Sequence, residues 1–157
     1  MKLEPALDDL ASSIQALAEG LARLAEDHAT EHDIFHTGQL LSGRVIDLRT
    51  VLPVGGDGRP NQPIPSGRPL DAVRRMAADA IGRTPKTGVA LLVDLRDLVG
   101  RAAVCEADWV IVHQGAMAAR NVELTDGSLR GIEETRRVWK WLITRIKESS
   151  PQILMAD

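Results

Sequence analysis

The chain has 157 residues, a formal net charge of −3, a single cysteine, and one Phe, three Trp and no Tyr. A domain of this size folds without disulfides or metals, so we expect one globular domain over 1–157 in a reducing compartment, the cytoplasm. The first 52 residues contain 4 basic and 9 acidic side chains, so this region is not expected to lie on a phosphate backbone. The chain also has few aromatic residues on which bases could stack, and we expect no nucleic-acid partner.

The N-terminus has acidic residues within its first ten positions and no unbroken apolar run. We therefore expect neither a signal peptide nor a membrane anchor there. No stretch of the sequence approaches the roughly 20 apolar residues that a bilayer crossing requires. The sequence predicts a protein with no membrane span.

The first fifty residues follow one helical register, with apolar side chains every three or four positions at Leu7, Leu10, Ile14, Leu17, Leu21, Leu24, Leu41, Val45, Leu48 and Leu52. This spacing predicts amphipathic helix of the coiled-coil type. The stripe becomes polar over 27–37, so the segment is either one very long helix or two helices joined there. A single helix of about 50 residues would be roughly 75 Å long and would extend past a compact monomer.

Residues 53–69 contain five prolines and four glycines, a composition that excludes helix and central strand and predicts a long loop. A short helix is expected over 70–81. A helix of about 35 residues is expected over 84–120, because its three-four apolar rhythm continues through 89–95 and 109–112, which alone resemble buried strands.

The final helix is expected from Leu129 to Glu148, after a turn over 125–128 and before Pro151. A disordered tail is expected over 150–157. The predicted fold class is therefore all-α, a helical bundle with two long helices, two shorter ones and a long proline- and glycine-rich loop.

Histidines at four-residue intervals, His28, His32 and His36, provide the main candidate for metal chemistry. Residues four apart are neighbours on a helix, so two of these imidazoles could hold one ion. Glu106 and His113 share a face of the third predicted helix, and helical bundles build metal sites from Glu and His on facing helices. The candidate ligands for zinc, iron or manganese are His28, Glu31, His32, Glu106 and His113.

The alternative interpretation, which we favour, is that these histidines lie on a solvated face or at a helix break. Cys105 falls on the predicted core stripe, where a thiol acts as a small apolar group and not as a nucleophile. Trp139 and Trp141 are about 200° apart on a helix and cannot face the same core. One of them is expected to meet a partner or a neighbouring subunit, where Trp is enriched.

The leading hypothesis is a non-enzymatic helical protein that assembles with itself or with a protein partner, as a homo-oligomer or as a small subunit of a larger complex. The rival hypothesis is a metal-binding helical bundle that acts as a metal store or an oxidoreductase. A third hypothesis is an enzyme with a pocket built from the proline- and glycine-rich loop.

Overall fold

A computed structural model of the chain describes residues 3–53 and 88–156. Within these ranges it contains four α-helices and no β-strand: α1 (Leu3–Asp27), α2 (His32–Asp47), α3 (Gly88–Ala118) and α4 (Val122–Leu154). A short 3-10 helix, Leu48–Val51, directly follows α2. The predicted all-α bundle is confirmed, and 89–95 and 109–112 are helical within α3. The predicted helix over 70–81 lies outside the described residues, as does the predicted loop apart from Pro53.

Neighbouring helices of the bundle run antiparallel. Helix α1 packs against α2 and α3, α3 packs against α4, and α4 touches α2. His28, after the end of α1, meets Asp94 near the start of α3, whereas Leu3 lies beside Gly115 near the end of α3. The diagonal pairs, α1 with α4 and α2 with α3, therefore run parallel.

The core lies between the four helices and is formed by the apolar residues that recur at helical spacing. Trp109 is its largest fully buried side chain. Each fully buried Leu or Ile side chain stabilises the fold by about 1.5–3 kcal/mol relative to exposure. The fully buried aliphatic residues include Leu10, Ile14, Leu17, Leu21, Leu95 and Leu142.

The N-terminal stripe forms a hairpin and not a continuous helix, because α1 ends at Asp27 and α2 begins at His32. Gly38 permits the two helices to approach closely, since a Cβ there would lie 3.1 Å from the Cβ of Ala25. The Ser42 hydroxyl donates to the carbonyl of Ala18 at 2.7 Å. The apolar stripe is thus buried within one chain, and the 75 Å helix that would have required a partner does not form.

The predicted turn over 125–128 is wrong, and so is the predicted start of the last helix at Leu129. Arg120 adopts a left-handed φ of 55° and makes the turn. The Asn121 side chain then accepts a hydrogen bond from the Leu124 N–H at 3.0 Å and caps α4, which begins at Val122. Gly127, which resembles a turn residue in the sequence, is instead buried in the helix beside Val51.

The predicted end of the last helix at Glu148 is also wrong, because α4 continues to Leu154 with Pro151 inside its last turns. Proline removes one backbone hydrogen bond from a helix. The Ser150 hydroxyl donates to the carbonyl of Ile146 at 2.6 Å, and Ile153 packs against the core beside Gly88. These contacts offset the lost bond and keep the chain helical.

Candidate functional site

Helix α3 is apolar on the side that faces the core and also on the side that faces solvent. The six large apolar residues that it exposes are Val89, Val93, Val104, Val110, Ile111 and Met117. A helix at the surface of a bundle normally presents polar side chains to water. Helices α1 and α2 differ from α3 in this respect. Among the described residues, α1 exposes no large apolar side chain and α2 exposes only Leu40.

Three of these exposed residues, Val93, Val104 and Ile111, lie on one strip of α3 together with the small residues Gly100 and Ala107, whereas Val110 and Met117 lie about 100–120° to one side. At 100° per residue, five positions fall within an arc of about 60° on the helix. Val104 and Ile111 are 58 % and 57 % exposed. We call this strip the α3 outward face, and its residues are Val93, Gly100, Val104, Ala107 and Ile111.

Charged residues border the α3 outward face. Asp97 lies at one edge and forms an ion pair with Arg101 at 3.1 Å. Arg101 also donates to the carbonyl of Ala16 at 3.1 Å, which ties this edge of α3 to α1. The opposite edge has Arg96. The face is therefore an apolar centre with a polar rim, which is the composition of a protein interface.

Helix α4 also exposes large apolar side chains. An ion pair of 2.7 Å between Glu106 and Arg136 joins the two helices. Leu129 and Trp139 are both exposed, and they lie on the same side of α4 as Arg136, seven residues before it and three after it. Trp141 instead packs against the core, as expected because it lies about 200° around the helix from Trp139.

The predicted metal ligands on α1 and α2 lie at one end of the bundle. His28 is only 5 % exposed, and its Nε2 lies 2.8 Å from Oδ2 of Asp94. Glu31 and His32 are exposed at the start of α2. The ring of His32 contacts that of His36, with 4.3 Å between the ring centroids.

The predicted ligands on α3 have contacts of their own. Glu106 is held by Arg136. Nδ1 of His113 lies 2.9 Å from the hydroxyl of Ser128, and that hydroxyl donates to the carbonyl of Thr125 at 2.9 Å. A hydroxyl has one proton, so the Ser128 oxygen accepts from Nδ1–H of His113. The imidazole thereby fixes the first turns of α4 against α3.

The structure does not bring the two halves of the predicted ligand set together. Asp94 marks the level of His28 on α3, and at 1.5 Å per residue Glu106 lies roughly 18 Å farther along that helix and His113 roughly 28 Å. The hairpin is the reason, because it places His28 at an end of the bundle and not at its middle. Within 3–53 and 88–156, no three His, Cys, Asp or Glu side chains are grouped closely enough to share a metal ion.

Cys105 is fully buried beside Thr135, with 4.0 Å between Sγ and Oγ1. Burial raises the pKa of the Cys105 thiol to about 11, so the thiol is protonated at pH 8. We predict that Ellman's reagent leaves Cys105 unmodified at pH 8 in the native protein and modifies it fully in urea. A Leu40→Cys variant is the control, since Leu40 is 56 % exposed on α2 and its thiol should react at once. Rapid modification of native Cys105 would contradict the prediction.

No protein family, curated protein or solved structure matches this chain. Among the helices that the structure describes, none combines the length and the hydropathy needed to cross a membrane.

Proposed function

We propose that the protein is a non-enzymatic helical assembly protein, a homo-oligomer or a small subunit of a larger complex, and that the α3 outward face is its docking surface. The observation that carries the proposal is that α3 is apolar toward the core and toward solvent alike. A helix at the surface of a bundle normally presents polar side chains to water, so an apolar solvent side indicates that another surface covers it.

The energetics of burial support this assignment. Val104 and Ile111 leave more than half of their surfaces in water, and complete burial of such a side chain contributes about 1.5–3 kcal/mol. Covering the exposed parts of Val93, Val104 and Ile111, the large residues of this face, would therefore contribute a few kcal/mol to an association. Helix α4 exposes two further large apolar residues, Leu129 and Trp139, and Trp is among the residues most often central to interfaces.

The double variant Val104→Lys with Ile111→Lys tests the proposal. Both side chains face solvent in the single chain, so we expect the variant to keep its helical circular dichroism. In extracts of the cells that naturally produce the protein, the wild-type chain should elute from gel filtration well above its own 17.0 kDa. The double variant should elute as the free chain, because lysines in the centre of an interface leave buried charges without partners.

Leu40→Lys is the matched control, since Leu40 on α2 is 56 % exposed and lies on a different helix. This variant should remain in the assembly. A wild-type chain that elutes at 17.0 kDa from the extract would overturn the proposal. So would an assembly that the double-lysine variant still joins.

A further inference from the structure

On the basis of the docking role proposed for the α3 outward face, we infer that its occupant is a second copy of the chain, packed so that the two α3 helices run antiparallel. The inference stands on two features of the described helix, the order of large and small residues along the face and the order of charges along its edges.

Large and small residues alternate along the α3 outward face in a way that fits an antiparallel copy. In the heptad pattern of helix pairs, Val104 and Ile111 take one core position while Val93, Gly100 and Ala107 take the other. In antiparallel pairs the two kinds of core position face each other across the interface. The facing pairs are then Val104 with Ala107, Ile111 with Gly100, and Val93 with Ala118.

Each of these three apolar layers combines a large side chain with a small one, so each fills the space that the other leaves. Asp97 and Gln114 occupy the same two heptad positions and form a polar layer between them. A parallel pair would place each residue opposite its own copy. Gly100 would then face Gly100, and Ala107 would face Ala107, which leaves gaps between the helices. The side-chain volumes along α3 therefore favour the antiparallel arrangement.

The charges along the edges favour the same arrangement. In the antiparallel pair, Arg101 of one copy lies near Asp108 of the other, twice by symmetry, and Asp97 faces the neutral Gln114. In the parallel pair, Asp97 would face Asp97, and Arg96 would lie near Arg101 of the other copy. Like charges at such positions destabilise helix pairs, whereas opposite charges select the partner and its direction.

Sedimentation of the purified full chain tests the second copy as occupant. We expect a species of twice 17.0 kDa for the wild-type chain and for Leu40→Lys, and a monomer for the Val104→Lys, Ile111→Lys variant. A monomeric wild-type chain overturns the inference. If the assembly in cell extracts still depends on the α3 outward face, the proposed function survives and the occupant is another protein. If the assembly does not depend on the α3 outward face, both the inferred dimer and the proposed function are wrong.

Accessibility of a Val104→Cys thiol separates the remaining occupants of the α3 outward face. In a purified monomer, a thiol that reacts with maleimide at once means that the face is open and that its occupant is a different molecule. A thiol in a purified monomer that resists maleimide means that residues 54–87 of the same chain cover it. Either result, obtained with a monomer, overturns the inference that a second copy of the chain covers the face. Protection in the dimer, lost on dilution to monomer, supports it.

Disulfide crosslinking tests the direction of the helices. Val93→Cys and Ala118→Cys face each other in the antiparallel dimer, whereas Val93 is roughly 38 Å along the helix from the Val93 of the other copy. Under mild oxidation, a mixture of the two single variants should yield the covalent heterodimer, and each variant alone should yield little covalent dimer. Native Cys105 does not interfere, because it is buried. Efficient crosslinking of each variant alone would show a parallel pair and overturn the inferred direction.

Discussion

Replacing Gly131 by valine is expected to lower the free energy of unfolding by about 3 kcal/mol, at the upper end of the usual cost of overpacking a core. A Cβ at Gly131 would overlap the indole ring of Trp109, and three ring carbons are its nearest neighbours. The ring is fully buried, so it cannot move aside without displacing the core. The better helix propensity of valine offsets only a few tenths of a kcal/mol.

Urea unfolding followed by circular dichroism measures this effect. Gly43→Val is the matched control, because a Cβ at Gly43 on α2 would meet nothing within 4 Å. Its unfolding free energy should stay within about 0.5 kcal/mol of the wild-type value. If the two variants lose equal stability, the contact between Gly131 and Trp109 is not what limits the approach of α3 and α4.

A double-mutant cycle isolates that contact. Trp109→Leu alone should cost about 3 kcal/mol, because it removes buried ring atoms and leaves a cavity. Gly131→Val in the Trp109→Leu background should cost much less than it does alone, since the valine then occupies space that the ring has left. Strict additivity of the two single changes would contradict this account.

The sequence alone predicts the helices of this protein well, because their apolar period is a local signal. The residues from Leu7 to Leu24 and from Leu41 to Leu52 fix the buried sides of α1 and α2 without reference to any other segment. The break between these helices could not be decided in the same way. It depends in part on His28, which is buried through contact with Asp94, 66 residues away in the chain.

The start of α4 was mispredicted for a related reason. Gly127 and Ser128 have the composition of a turn, and local propensity favours one there. In the folded chain, Gly127 makes room for Val51, and Ser128 accepts a hydrogen bond from His113 on α3. Both roles require a partner from elsewhere in the sequence, so the tertiary contacts override the local preference.

The candidate docking surface was missed in the sequence because α3 is apolar on two opposite sides. The core stripe through Leu95, Cys105 and Trp109 is readily recognised in the sequence. Val104 and Ile111 do not stand out in the sequence, because so many of their neighbours are also apolar. The signal that could have found them was their own spacing. Apolar or small residues recur every seven positions in two series, one at 104 and 111 and the other at 93, 100 and 107. Both series lie about half a turn from the core stripe, a pattern that indicates a second apolar side of the helix.

Replacing Asp94 by alanine is expected to lower the free energy of unfolding by about 2 kcal/mol. The change removes the carboxylate that accepts a hydrogen bond from Nε2–H of His28 at 2.8 Å. Leaving a buried donor without its partner costs about 1–3 kcal/mol. Asp97→Ala on the same helix is the matched control, because its ion pair with Arg101 is exposed and exposed pairs contribute little.

Changing His28 as well shows whether the stability lost in Asp94→Ala arises from a buried imidazole that has lost its hydrogen-bond acceptor. His28→Leu in the Asp94→Ala background replaces a buried polar ring with an apolar side chain, which needs no partner at a position only 5 % exposed. The double variant should therefore be more stable than Asp94→Ala alone in the same urea unfolding measurement. If the double variant is less stable instead, or if Asp94→Ala and Asp97→Ala lose equally little, the contact between His28 and Asp94 does not hold the end of α1 against α3.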